Sequence, residues 1–178
     1  MLTPEELPHY TIDDYLQWEG RWELIEGIPY AMTPSPGVRH QRISQIIAYQ
    51  LERSLEGCPD CRALLPTDWR VTEDTVLQPD NMVICYRPVQ PFLTKAPSLI
   101  FEVLSAASAE KDRRTKYAIY EREGVTYYVI VDPENEVAKV FRLHDGRYIK
   151  ELDATEESYP FVLGTCRIVF DFSRIWRE

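Results

Sequence analysis

The chain has 178 residues and a formal net charge of −9, with 44% hydrophobic and 28% charged residues. That length predicts one domain, residues 1–178, with a sizeable core, and the composition is not that of a disordered chain. The acidic balance argues against a surface built for non-specific nucleic-acid binding, and no run of about 18 apolar residues is present to cross a membrane.

The opening stretch MLTPEELPHYTIDDYLQWEG is acidic and has no apolar signal-peptide core, so a cytoplasmic protein is expected. Thr11 followed three residues later by Asp14 resembles a capping box and predicts a helix to about Glu19, stopped by Gly20. RWELIEGIPYAM then predicts a hairpin turning at Glu26-Gly27. Ser35 as cap and Pro36 in the first turn predict a long helix to about Glu56. Along it Ile43, Ile46, Ile47 and Leu51 form one apolar stripe. CRALLPTDWRVTED gives two short strand-like pieces broken at Pro66.

Two strands follow, Leu77–Tyr86 and Leu99–Leu104, joined by the proline-rich RPVQPFLTKAP. A helix from about Ser108 to Glu123 places Asp112, Lys116 and Tyr120 on one face, and Gly124 ends it. VTYYVIVDP is a buried strand, EVAKVFRL-HDGR-YIKEL a hairpin turning at Asp145-Gly146, and CRIVFDFSRIW a last strand with a terminal turn. The order predicts an α/β fold, a central mixed β-sheet flanked by helices, with one βαβ unit from Leu99 to Asp132.

Four cysteines occur, Cys58, Cys61, Cys85 and Cys166. The lone CxxC of Cys58 and Cys61 lacks partners at zinc-ligand spacing, so no zinc site and reduced thiols are expected, with Cys85 as a small core residue.

Chemistry concentrates between Leu77 and Tyr120. Asp80 opens one apolar run and Glu102 sits in the middle of the next, where a lone carboxylate would be costly. The plain alternative is that Asp80 starts a strand and Glu102 pairs with an arginine. The other reading is a site at the carboxyl end of a strand. Two convergent acids beside a lysine suit Mg²⁺ or Mn²⁺, which takes oxygen ligands and keeps several waters. Lys111, Arg113, Arg114 and Lys116 form a basic cluster after the Glu102 strand, with Arg39 and Arg42 a smaller one.

Pro79-Asp80 followed by Glu102 resembles the PD-(D/E)xK restriction-endonuclease-like superfamily. The wider ordered set resembles the Uma-type family of restriction endonucleases over roughly residues 10 to 175. That set is RWELIEG, SPGVRHQRI, QPD, IFEVLS and DRRTKYAIYEREGVTYYVIVDPE. The resemblance implies a restriction-endonuclease-like core and a metal-dependent endonuclease acting on DNA. Asp80 and Glu102 would hold the metal with the Val103 carbonyl, and Glu23 or Glu26, with Glu23 favoured, would match the N-terminal acid that helps complete the metal site. His40 and Gln41 would match a pair at the head of the long helix, with Tyr120 supporting. The superfamily's lysine two residues after the acid is Leu104 here, so Lys116 becomes the expected catalytic cation, and Lys116→Ala is expected to spare folding. A homodimer would serve to cut two strands. The alternatives are an interaction module with weak or lost activity and a phosphoesterase acting on smaller substrates.

Overall fold

The computed structural model describes residues 7–106, 109 and 112–177, without the side chains of Asp112 and Arg113. The expectations for Lys111, for the side chain of Arg113 and for an Asp112–Lys116 pair therefore lie outside the described residues.

Helix α1 (Ile12–Tyr15) is four residues long, shorter than expected. The Asp14 carboxylate accepts from the Thr11 amide and hydroxyl, so the cap forms. The helix buries no residue that would reward extension. Strands β1 (Trp22–Ile25) and β2 (Ile28–Ala31) form the expected hairpin. Its turn residues Glu26 and Gly27 both have positive φ, 49° and 79°, as a two-residue primed turn requires.

Helix α2 (Val38–Ser54) starts after Gly37, not at Ser35-Pro36. No side chain caps it, and Ile43, Ile47 and Leu51 bury the predicted stripe with Gln50 beside them. Strands β3 (Arg62–Leu64) and β4 (Trp69–Thr72) flank Pro66 as expected. The predicted Leu77–Tyr86 strand divides in two. β5 (Thr75–Leu77) belongs to one sheet and β6 (Asn81–Ile84) to another. Pro79 has no amide to give a ladder, and the Gln78 amide is committed to the Glu23 carboxylate at 2.9 Å.

Strand β7 (Leu99–Val103) leads, past a π-helical turn at Asp112–Lys116, into α3 (Tyr117–Glu123), which ends at Gly124 with φ 83°. Strand β8 (Tyr127–Asp132) returns parallel to β7, giving the predicted βαβ unit. The hairpin of β9 (Val137–His144) and β10 (Arg147–Ala154) turns at Asp145-Gly146, both with positive φ. A strand missed by sequence, β11 (Ser158–Leu163), pairs with β12 (Cys166–Asp171) despite Pro160.

The main sheet has the order β10-β9-β8-β7-β6-β3, with only β7 and β8 parallel. A second sheet, β2-β1-β5-β4, and the β11-β12 hairpin complete the strands. Alternation along β7 and β8 sorts side chains between two cores. Leu99, Phe101 and Val103 pack with α2 and the β11-β12 hairpin. Ile100 and Leu104 pack with α3 and the second sheet. Helices cover both faces, as predicted.

The cysteines depart from expectation. Cys58 is bonded to Cys166 and Cys61 to Cys85. Sequence spacing could not show this, because the partners lie 108 and 24 residues away and only the folded sheet brings them beside the loop after α2.

Candidate active site

Glu102 lies near the carboxyl end of β7, 2% exposed, on the face that α3 covers. Its burial among apolar neighbours would be costly alone, but its Oε1 accepts from Lys116 Nζ at 2.8 Å and from the Tyr120 hydroxyl at 2.6 Å. Lys116 and Tyr120 are four apart and so share a helix face. The exposed helical lysine that an isolated reading of Lys116 suggests is not what the fold contains. Lys116 is 3% exposed, and its ammonium also lies 2.9 Å from Glu23 Oε1. Glu23 itself, on β1, is 0% exposed. Glu26 is exposed at the hairpin turn, 3.7 Å from Arg122, away from this cluster.

Asp80 stands just before β6. Because Asn81 pairs with Phe101 in an antiparallel ladder, Asp80 comes opposite Glu102. Its Oδ2 accepts from the Val103 amide at 2.8 Å and lies 3.3 Å from His40 Nε2. His40, in the first turn of α2, also has Nδ1 3.2 Å from Gln41 Oε1. Burial pulls the His40 pKa down. Hydrogen bonding to Asp80, the Asp80 charge, Gln41 and the Val103 backbone together outweigh it, so the net direction is up. Tyr120 is held neutral, its pKa raised well above the ordinary value by burial and then by the Glu102 charge. Its ring stacks on Trp69 at 5.9 Å and meets Tyr128 edge-on at 4.9 Å, which fixes the hydroxyl.

The expected residues thus fall in two groups joined through β7: Glu23, Glu102, Lys116 and Tyr120 around the ammonium, and His40, Gln41, Asp80 and the Val103 amide beside it. Of the basic residues, Arg114 is exposed and Arg39 pairs with Glu136 at 2.7 Å.

Gln78 was missed. Its amide holds Glu23, while its side chain donates to Asp68 at 2.7 Å and to the Tyr15 hydroxyl at 3.2 Å, and accepts from Arg21. Burial and the Asp68 charge push the Tyr15 phenol up to about 12. The half-buried Ser44 donates to the buried Asn81 at 2.8 Å, which ties α2 to the start of β6 and was missed too. The one sequence signal was the polar run around Pro79 between apolar strands.

Among the described residues no three His, Cys, Asp or Glu side chains gather as a metal-binding group. The carboxylates of Asp80 and Glu102 with the Val103 carbonyl are hard oxygen donors, and so small a set fits a Mg²⁺ or Mn²⁺ that retains waters. A cavity of about 320 Å³ lies elsewhere. It is lined by Cys58, Cys61 and Cys166 at the C-terminal end of α2, about 21 Å of helix away from His40.

Comparison with known proteins supplies the context. The family model Uma2, described as "Putative restriction endonuclease", matches residues 12–160. A solved structure of a "putative nuclease belonging to DUF820 from Anabaena variabilis ATCC 29413" superposes with a TM-score of 0.77 at 18% identity, covering 94% of this chain and 97% of that one. At that identity the likeness shows a shared fold. No curated protein matches the chain.

Proposed function

Because the chain belongs to the Uma2 family of restriction-endonuclease-like proteins, matched over residues 12–160, we propose that it is a metal-dependent endonuclease hydrolysing DNA phosphodiester bonds. The observation that carries this reading is the buried ammonium of Lys116 held at 2.8 Å by Glu102 Oε1 and at 2.9 Å by Glu23 Oε1, beside Asp80. An apolar core has no need of such a cluster, and a buried ion pair is weak support for stability in itself.

Asp80, Glu102 and the Val103 carbonyl would hold the Mg²⁺ or Mn²⁺, which would polarise the phosphoryl oxygen and lower the pKa of a bound water. The chain's own groups do the rest. Lys116 places a positive charge where negative charge develops on phosphate. Tyr120 and Glu23 fix that ammonium and the Glu102 carboxylate in one orientation, so little reorganisation is needed. His40 orients Asp80, and the Gln78 amide orients Glu23. The net charge of −9 means that affinity for DNA must come from local groups, with exposed Arg114 the nearest along the chain.

The test is cleavage of supercoiled, linear and single-stranded DNA with Mg²⁺ or Mn²⁺, wild type beside Asp80→Asn, with a small phosphodiester in parallel. Cleavage of DNA by the wild type alone is expected. Hydrolysis of the small ester without DNA cleavage would move the substrate class to small phosphoesters. A protein that binds DNA and cleaves neither would be an interaction module on a nuclease scaffold. Cytoplasmic localisation and a homodimer that places two sites on two strands belong to the same reading; among the described residues, no helix is long and apolar enough to cross a membrane.

A further inference from the structure

A second cavity, about 200 Å³, lies between α3 and the main sheet and is lined by Leu104, Tyr117, Ile130, Asp132, Lys139 and Phe141. Its position follows from register. Glu102 pairs with Ile130 and Ile130 with Lys139, and paired residues project from the same face of a sheet, so the three form one row. Leu104 follows Glu102 by two and faces the same way. Tyr117 directly follows Lys116. The cavity thus begins about one strand spacing, roughly 4.8 Å, from the Glu102 strand.

Its chemistry is that of a flat, amphipathic ligand. Leu104 and Ile130 supply aliphatic walls, and Tyr117 and Phe141 supply rings 5.2 Å apart at 89°. Among the described residues, Lys139 is the one cationic donor in the lining. Asp132 is engaged by the turn that follows it, accepting from the Glu134 and Asn135 amides and the Asn135 side chain. A volume below the roughly 300–1,000 Å³ of drug-sized sites suits a single ring system.

We propose that this cavity receives one nucleobase, turned out of the stack, from the nucleotide next to the phosphate held at Glu102 and Lys116. The proposal rests on the nuclease reading above. Lys139 donates to a ring nitrogen or carbonyl of the base, and the apolar walls cover its faces. It also accounts for Leu104, which stands where the superfamily pattern places a lysine: here that position builds the cavity wall. Extruding a base costs a few kcal/mol in a duplex and least in single-stranded or mismatched DNA, so those substrates should be preferred.

The test titrates the protein with deoxynucleoside 5′-monophosphates and with deoxyribose 5-phosphate, following the Leu104 and Ile130 methyl resonances. Base-bearing ligands should shift both methyls by ring currents, and deoxyribose phosphate should not. Lys139→Ala should weaken nucleotide binding about tenfold, as loss of a charged hydrogen-bond donor does, with Lys139→Arg restoring most of it. Leu104→Trp, which fills the cavity, should abolish the shift at Ile130. Equal shifts from the base-free sugar phosphate, or unaltered affinity in folded Lys139→Ala, overturn the proposal. DNA cleavage without methyl shifts overturns the base pocket alone. Methyl shifts without cleavage overturn the nuclease reading and leave a nucleotide site.

Discussion

Replacing Lys116 by alanine is the perturbation on which sequence and structure disagree most. Read as an exposed helical residue, Lys116 could be truncated with little effect on folding. In the structure it is buried between the carboxylates of Glu23 and Glu102, themselves 0% and 2% exposed. Its removal takes the ammonium from between two like charges in a dry site. Removing one partner of a buried ion pair costs about 3–5 kcal/mol, against a total stability of about 5–15 kcal/mol. With a urea m-value of about 2 kcal/mol/M, the midpoint should fall by about 1.5–2.5 M. In the variant, burial and mutual repulsion raise the folded-state pKa of the two acids above their unfolded value. Lys116→Ala should therefore regain stability as pH falls from 8 towards 5, and Glu23→Gln in the same background should recover part of the loss at pH 8. A midpoint within 0.3 M of wild type (about 0.6 kcal/mol at that slope) would refute the account of Lys116 as a buried counter-ion.

Three further outcomes are expected. The His40 pKa is raised in the folded state, so its contribution to stability is complete below the ordinary value of about 6.5 and is lost as pH rises through the folded-state pKa; Asp80→Asn should lower the His40 titration midpoint seen by NMR, and an unchanged midpoint would break the link to Asp80. Gln50 clamps α2 to β12 by donating to the Asp171 carbonyl at 3.0 Å and accepting from the Asp171 amide at 3.1 Å; Gln50→Leu orphans both and should cost roughly 2–4 kcal/mol in chemical denaturation. Reduction with a dithiol, or Cys58→Ser, opens a bridge across a 108-residue separation and should cost about 2–5 kcal/mol; equal stability of oxidised and reduced protein would argue against that bridge.

Much of the architecture was legible because local chemistry and tertiary context agree. Glu26-Gly27 and Asp145-Gly146 each form a two-residue turn with positive φ, and the apolar run at Thr126–Asp132 is buried along its whole strand. The misreadings arise where tertiary partners decide. Gln78 sits in an otherwise strand-like run, but its amide is drawn to Glu23, and the run divides between two sheets. Pro160 lowers the strand signal of β11, yet the hairpin with β12 tolerates it because this pair stands apart from the main sheet. The cysteine pairs are long-range and have no local signature. For the site, identity was legible and environment was not. Asp80, Glu102 and Lys116 stood out by type and spacing, whereas the burial of Lys116 and its contact with Glu23 depend on α3 and β1 meeting over the end of β7.

The central claim is that this cluster hydrolyses phosphodiesters, and nicking of supercoiled plasmid by Glu102→Gln beside wild type tests it most directly. Glutamine keeps an oxygen to accept from Lys116 and Tyr120 and leaves Lys116 its partner Glu23, so the fold should survive, as circular dichroism and the melting temperature can verify. Wild type should nick in the presence of Mg²⁺ or Mn²⁺, and folded Glu102→Gln should nick at least about 100-fold more slowly. Nicking by the folded variant at the wild-type rate would contradict the account.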